Sequence, residues 1–333
     1  MAAMWTTGQE LLEIIFEYVG HKAGLALTRD ELVKHMPQHA SELPPSDGDG
    51  LRIRHEVVEE MVREVLHNVG ALRNPRSGMP PTIALLHKYK RDAEATAIVQ
   101  SLTEAMIELD KSSAGNGPLD ITPMAEKAAA RFGRRGLAMF REFYELLQEY
   151  LQGSIIGTFR RVEWENIEQL HALFTGEQLE PQHGTFIDQR FIDYLAQNFD
   201  AVDRMHWRKF EGLVGEYFDK KGYAVEVGPG RNDDGVDLRV WRRIPTPGDP
   251  ATLLVQCKKT QDKVGKVVVK ALWADMVHED VPTGLIVTTS ALEPGAARTA
   301  IARGYKVGRT EREKLRKWIE AMRTPGSGLI LAR

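Results

Sequence analysis

The stretch Leu-Leu-Val-Gln-Cys-Lys-Lys, residues 253–259, begins like a buried β-strand and ends with an amide and an ammonium group. Side chains alternate between the two faces of a strand. Gln256 and Lys258 therefore share one face, while Val255 and Cys257 share the other. A strand that ends in this way inside a core indicates that the polar pair has a function.

Upstream, residues 236–241 (Val-Asp-Leu-Arg-Val-Trp) alternate apolar and polar as a second strand. The Pro- and Gly-rich segment 242–251 is typical of a turn, so the two strands are predicted to form an antiparallel hairpin. With the turn centred near Pro247, Asp237 lies within one residue of the position opposite Cys257. The open end of the hairpin then carries a polar cluster of Asp237, Gln256 and Lys258.

A third polar group, Glu211, lies inside the apolar stripe of a predicted helix. The stripe consists of Trp207, Phe210, Val214, Tyr217 and Phe218. An unpaired carboxylate on a buried face is costly, so Glu211 should be paired, protonated or bound to a metal ion. The sequence leaves two interpretations of Glu211 open. One is a buried salt bridge or an edge position, and the other is a place in a site with the hairpin cluster.

Taken together, these motifs resemble the Mrr-like branch of the PD-(D/E)xK nucleases, over residues from about 203 to 322. The resemblance rests on Phe210-Glu211, Gly-Tyr-Ala-Val at 222–225, Asp-Asp-Gly-Val-Asp at 233–237, Val-Gln-Cys-Lys at 255–258, the strand at 284–290 and the Ala-rich helix after Pro294. Most of the superfamily has a carboxylate where this chain has Gln256, but glutamine is usual in the Mrr-like branch. The resemblance implies an α/β nuclease domain with a central mixed sheet flanked by helices.

The resemblance also implies a catalytic set of Glu211, Asp237, Gln256 and Lys258. Asp237 suits Mg²⁺, a hard cation bound through one or two carboxylates, and Mn²⁺ is the expected substitute. The further ligands would be the side-chain oxygen of Gln256, the backbone carbonyl of Cys257, and Glu211 through a water or a second ion. Lys258 would orient or deprotonate the attacking water. The alternative for Lys258 is a salt bridge to Asp237 without chemistry, and the thiol of Cys257 is interpreted as core packing.

Candidate DNA contacts follow the catalytic strand. Lys263, Lys266 and Lys270 have the i, i+3, i+7 spacing of a basic helical row, which is either a solvated face or a phosphate-binding one. Thr288 and Thr289 end a strand before a helix, where hydroxyls and free amides can hold a phosphate. The full set of predicted DNA-binding residues is Lys259, Lys263, Lys266, Lys270, Thr288 and Thr289.

The remaining chain is predicted to be mostly helical, so the fold class is α+β overall. Residues 1–90 carry three helical patterns, one opened by a capping box at Thr28 and one closed by Gly20. Two short strands predicted between residues 70 and 86 would complete a winged-helix module; a helical bundle with an irregular loop is the alternative. Residues 91–200 are predicted to be a helical connecting or regulatory region with a linker at 112–118, and residues 201–333 the nuclease domain.

Composition narrows the class of protein. The 333 residues are 42% hydrophobic and 27% charged, with one cysteine and no signal-peptide pattern. We therefore expect a globular protein of a reducing compartment, the cytoplasm, without a membrane span. Residues 204–333 hold 24 basic and 16 acidic residues, a net of +8, whereas residues 1–203 hold 20 and 31, a net of −11. A basic module beside an acidic one suggests two parts with different partners.

The candidate site and the resemblance together predict a metal-dependent DNA endonuclease, and the resemblance implies that it restricts foreign or modified DNA. DNA is the expected partner, and a homodimer or higher homo-oligomer is the expected assembly. The N-terminal region would select the target or restrain the nuclease. One alternative is an inactive nuclease fold used for nucleic-acid binding or regulation. The joint presence of Asp237, Gln256 and Lys258 argues against that alternative. A repair or recombination nuclease remains the third hypothesis.

Overall fold

The computed structural model describes residues 3–44, 46, 48–75, 79–112, 119–154, 164, 166–175, 179, 181–230, 235–324 and 329–331. The helices are α1 (Gly8–Ala23), α2 (Arg29–Lys34), α3 (His55–Asn68), α4 (Pro81–Lys88), α5 (Ala93–Ser112), α6 (Thr122–Gly153), α7 (Gln189–Gln197), α8 (Trp207–Lys220), α9 (Lys266–His278), α10 (Pro294–Ala302) and α11 (Arg312–Met322). The strands are β1 (Ala3–Thr7), β2 (Leu25–Ala26), β3 (Gly50–Arg54), β4 (Leu119–Asp120), β5 (Glu168–Gln169), β6 (Ala224–Val227), β7 (Leu238–Trp241), β8 (Leu253–Lys258), β9 (Gly284–Thr288), β10 (Val307–Thr310) and β11 (Leu329–Ile330). Short 3₁₀ helices lie at Ala40–Glu42, Leu170–Leu173 and Phe199–Arg204.

The chain forms two compact units. Unit 1 comprises Met1–Gln169 with Pro325–Arg333, and unit 2 comprises Leu170–Thr324. Within the described residues, no helix is both long enough and apolar enough to cross a membrane.

Unit 1 begins with the predicted helices. The capping box at Thr28 is confirmed, because its hydroxyl accepts the N–H of Glu31 while the Glu31 carboxylate accepts the N–H of Thr28. The predicted C-cap at Gly20 is wrong. Gly20 lies inside α1, and the helix ends at Gly24, whose φ of 66° is the left-handed conformation that favours glycine.

The two strands predicted between residues 70 and 86 are also wrong. Pro81 begins helix α4 instead, since proline at the first turn of a helix needs no N–H and already has a helical φ. Residues 76–78 of the predicted turn lie outside the described residues. The antiparallel pair found in this part of the chain is β1 with β3. The described residues between 70 and 86 form no hairpin, so the wing of the predicted winged-helix module is not found there.

The predicted boundary at residue 90 falls inside a single core. Leu85 of α4 packs with Ile98 and Val99 of α5 and with Phe140 and Phe143 of α6. Helix α6 lies in the region predicted to be helical, and Gly133 (φ 59°, ψ −142°) breaks it into two segments. Except for Ser112, which ends α5, the predicted linker at 112–118 lies outside the described residues.

The helix that precedes the predicted boundary at residue 201 belongs to the same compact unit as the residues after it. The side-chain amide of Gln189 on α7 donates to the carbonyl of Met322 on α11 at 3.0 Å, and Asp193 accepts the N–H of Thr324 at 2.9 Å. The chain therefore divides into two units, not three regions.

Unit 2 is built on a five-stranded mixed sheet in the order β10-β9-β8-β7-β6. Strands β6, β7 and β8 pair antiparallel, and β8, β9 and β10 pair parallel. The expected fold class, a helical N-terminal region followed by an α/β domain with a mixed sheet, is confirmed. β6 and β10 lengthen the sheet at its two sides and leave β8 in the centre.

Helices cover both faces of this sheet, which explains why β8 starts with a run of apolar residues. On one face Leu254 packs with Leu272 of α9 and Ile286 of β9. On the other, Gly215 brings α8 so close that a Cβ would lie 3.4 Å from Leu238. Val236 belongs to the α9 face, against the simple alternation, because β7 begins only at Leu238.

Candidate active site

The β7–β8 hairpin brings Asp237 to the end of the central strand. Leu238 pairs with Val255, so Asp237, which directly precedes β7, lies beside the last residues of β8. Its N–H donates to the carbonyl of Val255 at 3.0 Å, and its Oδ2 accepts the N–H of Cys257 at 2.5 Å. The predicted hairpin and its register are confirmed.

Gln256 lies beside this contact and is 4% exposed. Its Nε2 donates to the carbonyl of Gly235 at 2.9 Å, which fixes the orientation of the amide. Its Oε1 is buried and has no hydrogen-bond donor among the described residues. A buried acceptor without a partner costs about 1–3 kcal/mol. This atom therefore fits a ligand for a cation.

Gly235 is required next to that amide for two reasons. Its φ of 91° is one that other residues rarely adopt, and a Cβ there would lie 3.3 Å from Gln256 Nε2. The motif Gly-Val-Asp at 235–237 thus contributes both a backbone anchor for Gln256 and the carboxylate of Asp237.

Lys258 ends β8 and is partly exposed. Across the described part of the chain, no carboxylate lies within ion-pair distance of its ammonium, so the alternative of a salt bridge to Asp237 has no support there. Its carbonyl accepts the Thr288 hydroxyl at 2.8 Å and the Thr289 N–H at 3.3 Å. The backbone of Lys258 is therefore held while its side chain can reach a substrate.

Thr288 and Thr289 were predicted to contact DNA, and their burial contradicts this. They are 0% and 2% exposed. The hydroxyl of Thr289 donates to the carbonyl of Thr260 at 2.9 Å and accepts the N–H of the same residue at 3.0 Å. The Thr288 hydroxyl thus binds the last residue of β8, and the Thr289 hydroxyl binds Thr260 just after that strand.

Glu211 projects from α8 and is 5% exposed. Its Oε2 accepts a 2.7 Å hydrogen bond from Nη1 of Arg208, one helical turn earlier. The buried salt bridge that the sequence left open is therefore present. Arg208 was not identified from the sequence, although the i, i+3 spacing of opposite charges is a recognisable helical pair.

The charges of the cluster converge on Cys257. Burial raises the pKa of its thiol well above the usual range, the carboxylates of Asp237 and Glu211 raise it further, and the ammonium of Lys258 opposes them. The charges of Asp237, Glu211 and Lys258 thus all influence the pKa of the Cys257 thiol. The thiol stays protonated and packs in the core, which agrees with its interpretation as a non-nucleophile.

The predicted basic row is only partly helical. α9 begins at Lys266 after an N-cap at Gly265, so Lys263 precedes the helix. Lys266 and Lys270 lie one turn apart on α9 and are exposed, as is Lys263, while Lys259 is half-buried directly after β8. All four ammonium groups remain proposed DNA contacts.

The donors present suit a hard divalent cation. Among the described residues no group of three or more His, Cys, Asp or Glu side chains comes together. The available oxygens are instead a carboxylate, an amide oxygen and a backbone carbonyl, which are ligands of Mg²⁺ and similar ions. The unpartnered Oε1 of Gln256 is the atom that best fits such a role.

A helix bearing an acidic residue, a hairpin bearing Asp and Gln-x-Lys, and a parallel β8–α9–β9 crossover together define a PD-(D/E)xK nuclease domain. Residues 202–319 match the Mrr_cat family model, described as a restriction endonuclease. The C-terminal region is thus a catalytic domain of the restriction endonuclease type, as the resemblance predicted. Nucleases of this superfamily generally use divalent metal ions.

One relative is the "Uncharacterized protein y4cE" of Sinorhizobium fredii (strain NBRC 101917 / NGR234). The two chains are 31% identical over 125 residues, which is 36% of this chain and 31% of the relative. The match spans about a third of the relative's length.

Proposed function

We propose that this protein is a Mg²⁺-dependent DNA endonuclease that hydrolyses phosphodiester bonds. One observation carries the proposal. The buried, unpartnered Oε1 of Gln256 lies at the end of β8, where Asp237 and an ammonium group without an ion pair in the described chain are also found. The match of residues 202–319 to a restriction endonuclease model supports it.

Asp237, the side-chain oxygen of Gln256 and the carbonyl of Cys257 would hold the Mg²⁺, and Mn²⁺ would substitute for it. A divalent ion bound there neutralises charge on the phosphate and makes water more acidic. The hydrogen bond from the Cys257 N–H orients the carboxylate of Asp237. The hydrogen bond from Gln256 to Gly235 orients the amide oxygen.

Lys258 would act on the water and the phosphate. As an ammonium it donates hydrogen bonds and offsets the negative charge that develops on the phosphate oxygens. In its neutral form it can take a proton from the attacking water. Thr288 and Thr289 hold its backbone, which limits the positions that the side chain can reach.

Glu211 is proposed as a further carboxylate of this centre, toward a second ion or a water. Its bond to Arg208 balances its charge while no substrate is bound. Because arginine side chains bind phosphate well, DNA would compete with Glu211 for the guanidinium of Arg208. Glu211 would then be released into the centre when the substrate arrives.

The biological role proposed is restriction of foreign or modified DNA in the cytoplasm, with unit 1 selecting the target or restraining cleavage. A concerted double-strand break would use two such centres, most simply in a C₂ homodimer, whereas a monomer would have to nick the two strands in succession. The inactive-fold alternative is disfavoured by the retention of Asp237, Gln256 and Lys258. A repair or recombination nuclease would use the same centre and differ in substrate.

The test is incubation of the full-length protein with plasmid DNA, modified phage DNA and RNA, each with Mg²⁺ or with EDTA. We expect DNA to be cut in Mg²⁺ and to survive in EDTA. Faster cutting of the modified DNA would support restriction, whereas preference for branched DNA added as a fourth substrate would favour repair. Failure to cut any DNA, or cutting that resists EDTA, would contradict the proposal.

A further inference from the structure

Unit 1 carries a local basic surface that the nuclease centre does not explain. Five exposed cations form it, and we call them the α6 basic surface: Lys90, Arg91, Arg131, Arg134 and Arg141. None of the five has an ion-pair partner in the part of the chain that the structure describes. The guanidinium of Arg131 lies over the ring of Phe132 instead, 5.0 Å from its centroid.

Tertiary contacts bring these residues together from two parts of the sequence. Arg135 on α6 binds Asp92 and Glu94 at the start of α5. The carboxylate of Glu142 accepts Lys88 Nζ at 2.5 Å and the Tyr89 hydroxyl at 2.9 Å. The turn between α4 and α5, which carries Lys90 and Arg91, is thereby held against the middle of α6.

The same contacts occupy the nearby carboxylates. Asp92, Glu94 and Glu142 are all paired, so they leave the five cations unneutralised. Glu145, one turn beyond Arg141, forms no ion pair with it in the described structure. Unit 1 as a whole has 20 basic and 25 acidic residues, a net of −5, so this surface has the sign opposite to that of its unit.

The extent of the surface suits a row of phosphates. Arg134 and Arg141 are seven residues apart on one helical segment, which is about 10 Å at roughly 1.5 Å per residue. Arg131 lies beyond the break at Gly133, where an added Cβ would meet open space. Four of the five side chains are arginines, whose planar guanidinium can bind a phosphate through two hydrogen bonds.

We propose that the α6 basic surface binds the sugar–phosphate backbone of duplex DNA. The choice of DNA as the polyanion rests on the proposed function. Such contacts position a protein on the duplex without reading its sequence, and they release counterions, so their strength falls steeply with salt. Unit 1 would then hold the substrate through this surface even though its net charge is negative.

The test is binding of the full-length protein to a DNA duplex in EDTA, measured over a series of salt concentrations. The triple variant Lys90→Glu, Arg91→Glu, Arg134→Glu should bind at least about tenfold more weakly. Its plot of log affinity against log salt should be shallower by about 2.7, or about 0.9 for each phosphate that the variant no longer neutralises. The neutral triple variant, with glutamine at the same positions, should show a smaller loss in the same direction.

A matched control makes the same change of charge elsewhere on unit 1. Lys34→Glu, Arg52→Glu, Arg54→Glu alters exposed cations on α2 and β3, and it should bind DNA nearly as well as the wild type. Equal weakening by both triple variants, or weakening by neither, would overturn the proposal. So would a loss of binding to duplex RNA while DNA binding is unchanged. Circular dichroism checks that each variant is folded. If the glutamate variant does not fold, the DNA affinity of the glutamine variant tests the proposal instead.

Binding in EDTA separates this inference from the proposed function. A protein that cuts no DNA but whose DNA affinity depends on the α6 basic surface would retain the inference and lose the nuclease proposal. A protein that cuts DNA but whose DNA affinity does not depend on these residues would retain the nuclease proposal and lose the inference.

Discussion

The backbone N–H of Cys257 donates a 2.5 Å hydrogen bond to Oδ2 of Asp237. This bond links the strand that carries Gln256 and Lys258 to the carboxylate expected to hold the metal ion. It is formed by the backbone, so its geometry does not depend on the thiol. Removing the carboxylate and removing the thiol should therefore have different effects.

Asp237→Asn should lose cleavage by at least about 100-fold, because a neutral amide gives up several kcal/mol of metal-ion charge stabilisation. It keeps an acceptor for Cys257 and should remain folded. Asp237→Ala leaves that buried N–H unsatisfied and should also lower the free energy of unfolding by about 1–3 kcal/mol. Cys257→Ala is the control and should cut DNA at close to the wild-type rate. Cleavage rates and urea unfolding measure both effects, and an active Asp237→Asn would refute the assignment.

Gln256 can be tested without measuring cleavage. A ligand that binds only the folded state stabilises it, by about 2.7 kcal/mol at a concentration of 100 times its Kd. Mg²⁺ should therefore raise the melting temperature of the wild type and of Gln256→Glu, which restores the carboxylate common in the superfamily. It should have little effect on Gln256→Leu, which lacks the buried oxygen. An equal Mg²⁺ shift in the leucine variant would remove Gln256 from the metal site.

The Arg208–Glu211 pair should show strong coupling in a double-mutant cycle. Arg208→Met takes this partner away from the buried carboxylate of Glu211, and we expect a loss of about 1–3 kcal/mol, below the full cost for a fully buried pair because Arg208 is partly exposed. Adding Glu211→Gln removes that charge and should recover part of the loss. Urea unfolding of the four proteins gives the coupling energy. If the stability losses of the two single variants simply add in the double variant, the Arg208–Glu211 bond contributes nothing to stability.

The position of the boundary between the two units predicts which C-terminal fragment should be the more stable. A fragment of residues 204–333 omits α7 and most of the 3₁₀ helix Phe199–Arg204. It therefore lacks the Asp200 and Asp203 carboxylates that bind Arg312. It should be less stable than residues 170–324, which keep these contacts. Thermal unfolding of both fragments measures the difference. If the longer fragment cuts plain plasmid DNA at least as well as the full chain, unit 1 restrains the nuclease; reduced cutting would favour a role in affinity.

The sequence predicted the centre of unit 2 well because its signals are local. A turn of known position and two alternating strands are enough to fix the register that brings Asp237 to Gln256. The position of Glu211 on the buried stripe followed from helical spacing in the same way.

What the sequence could not predict depends on distant pairings. The burial of Thr288 and Thr289 comes from the parallel alignment of β9 with β8, which involves residues about 30 positions away. The unpartnered oxygen of Gln256 depends on which amide atom faces Gly235. The missing wing has a simpler cause, because residues 81–86, assigned to the two-strand segment, form the first turns of α4, which begins at Pro81.

The most direct test of the central claim is single-turnover cleavage of a supercoiled plasmid by the wild type and by Lys258→Met. The long apolar side chain of methionine replaces Lys258 without its charge, and Lys317→Met, at an exposed position of α11, is the matched control outside the centre. We predict cleavage by the wild type in Mg²⁺, none in EDTA, and a rate about 10²–10⁴-fold lower for Lys258→Met, the usual contribution of a positioned acid–base group. Lys317→Met should retain most of the rate. Wild-type cleavage by Lys258→Met, or equal cleavage with and without Mg²⁺, would contradict a metal-dependent centre at the end of β8.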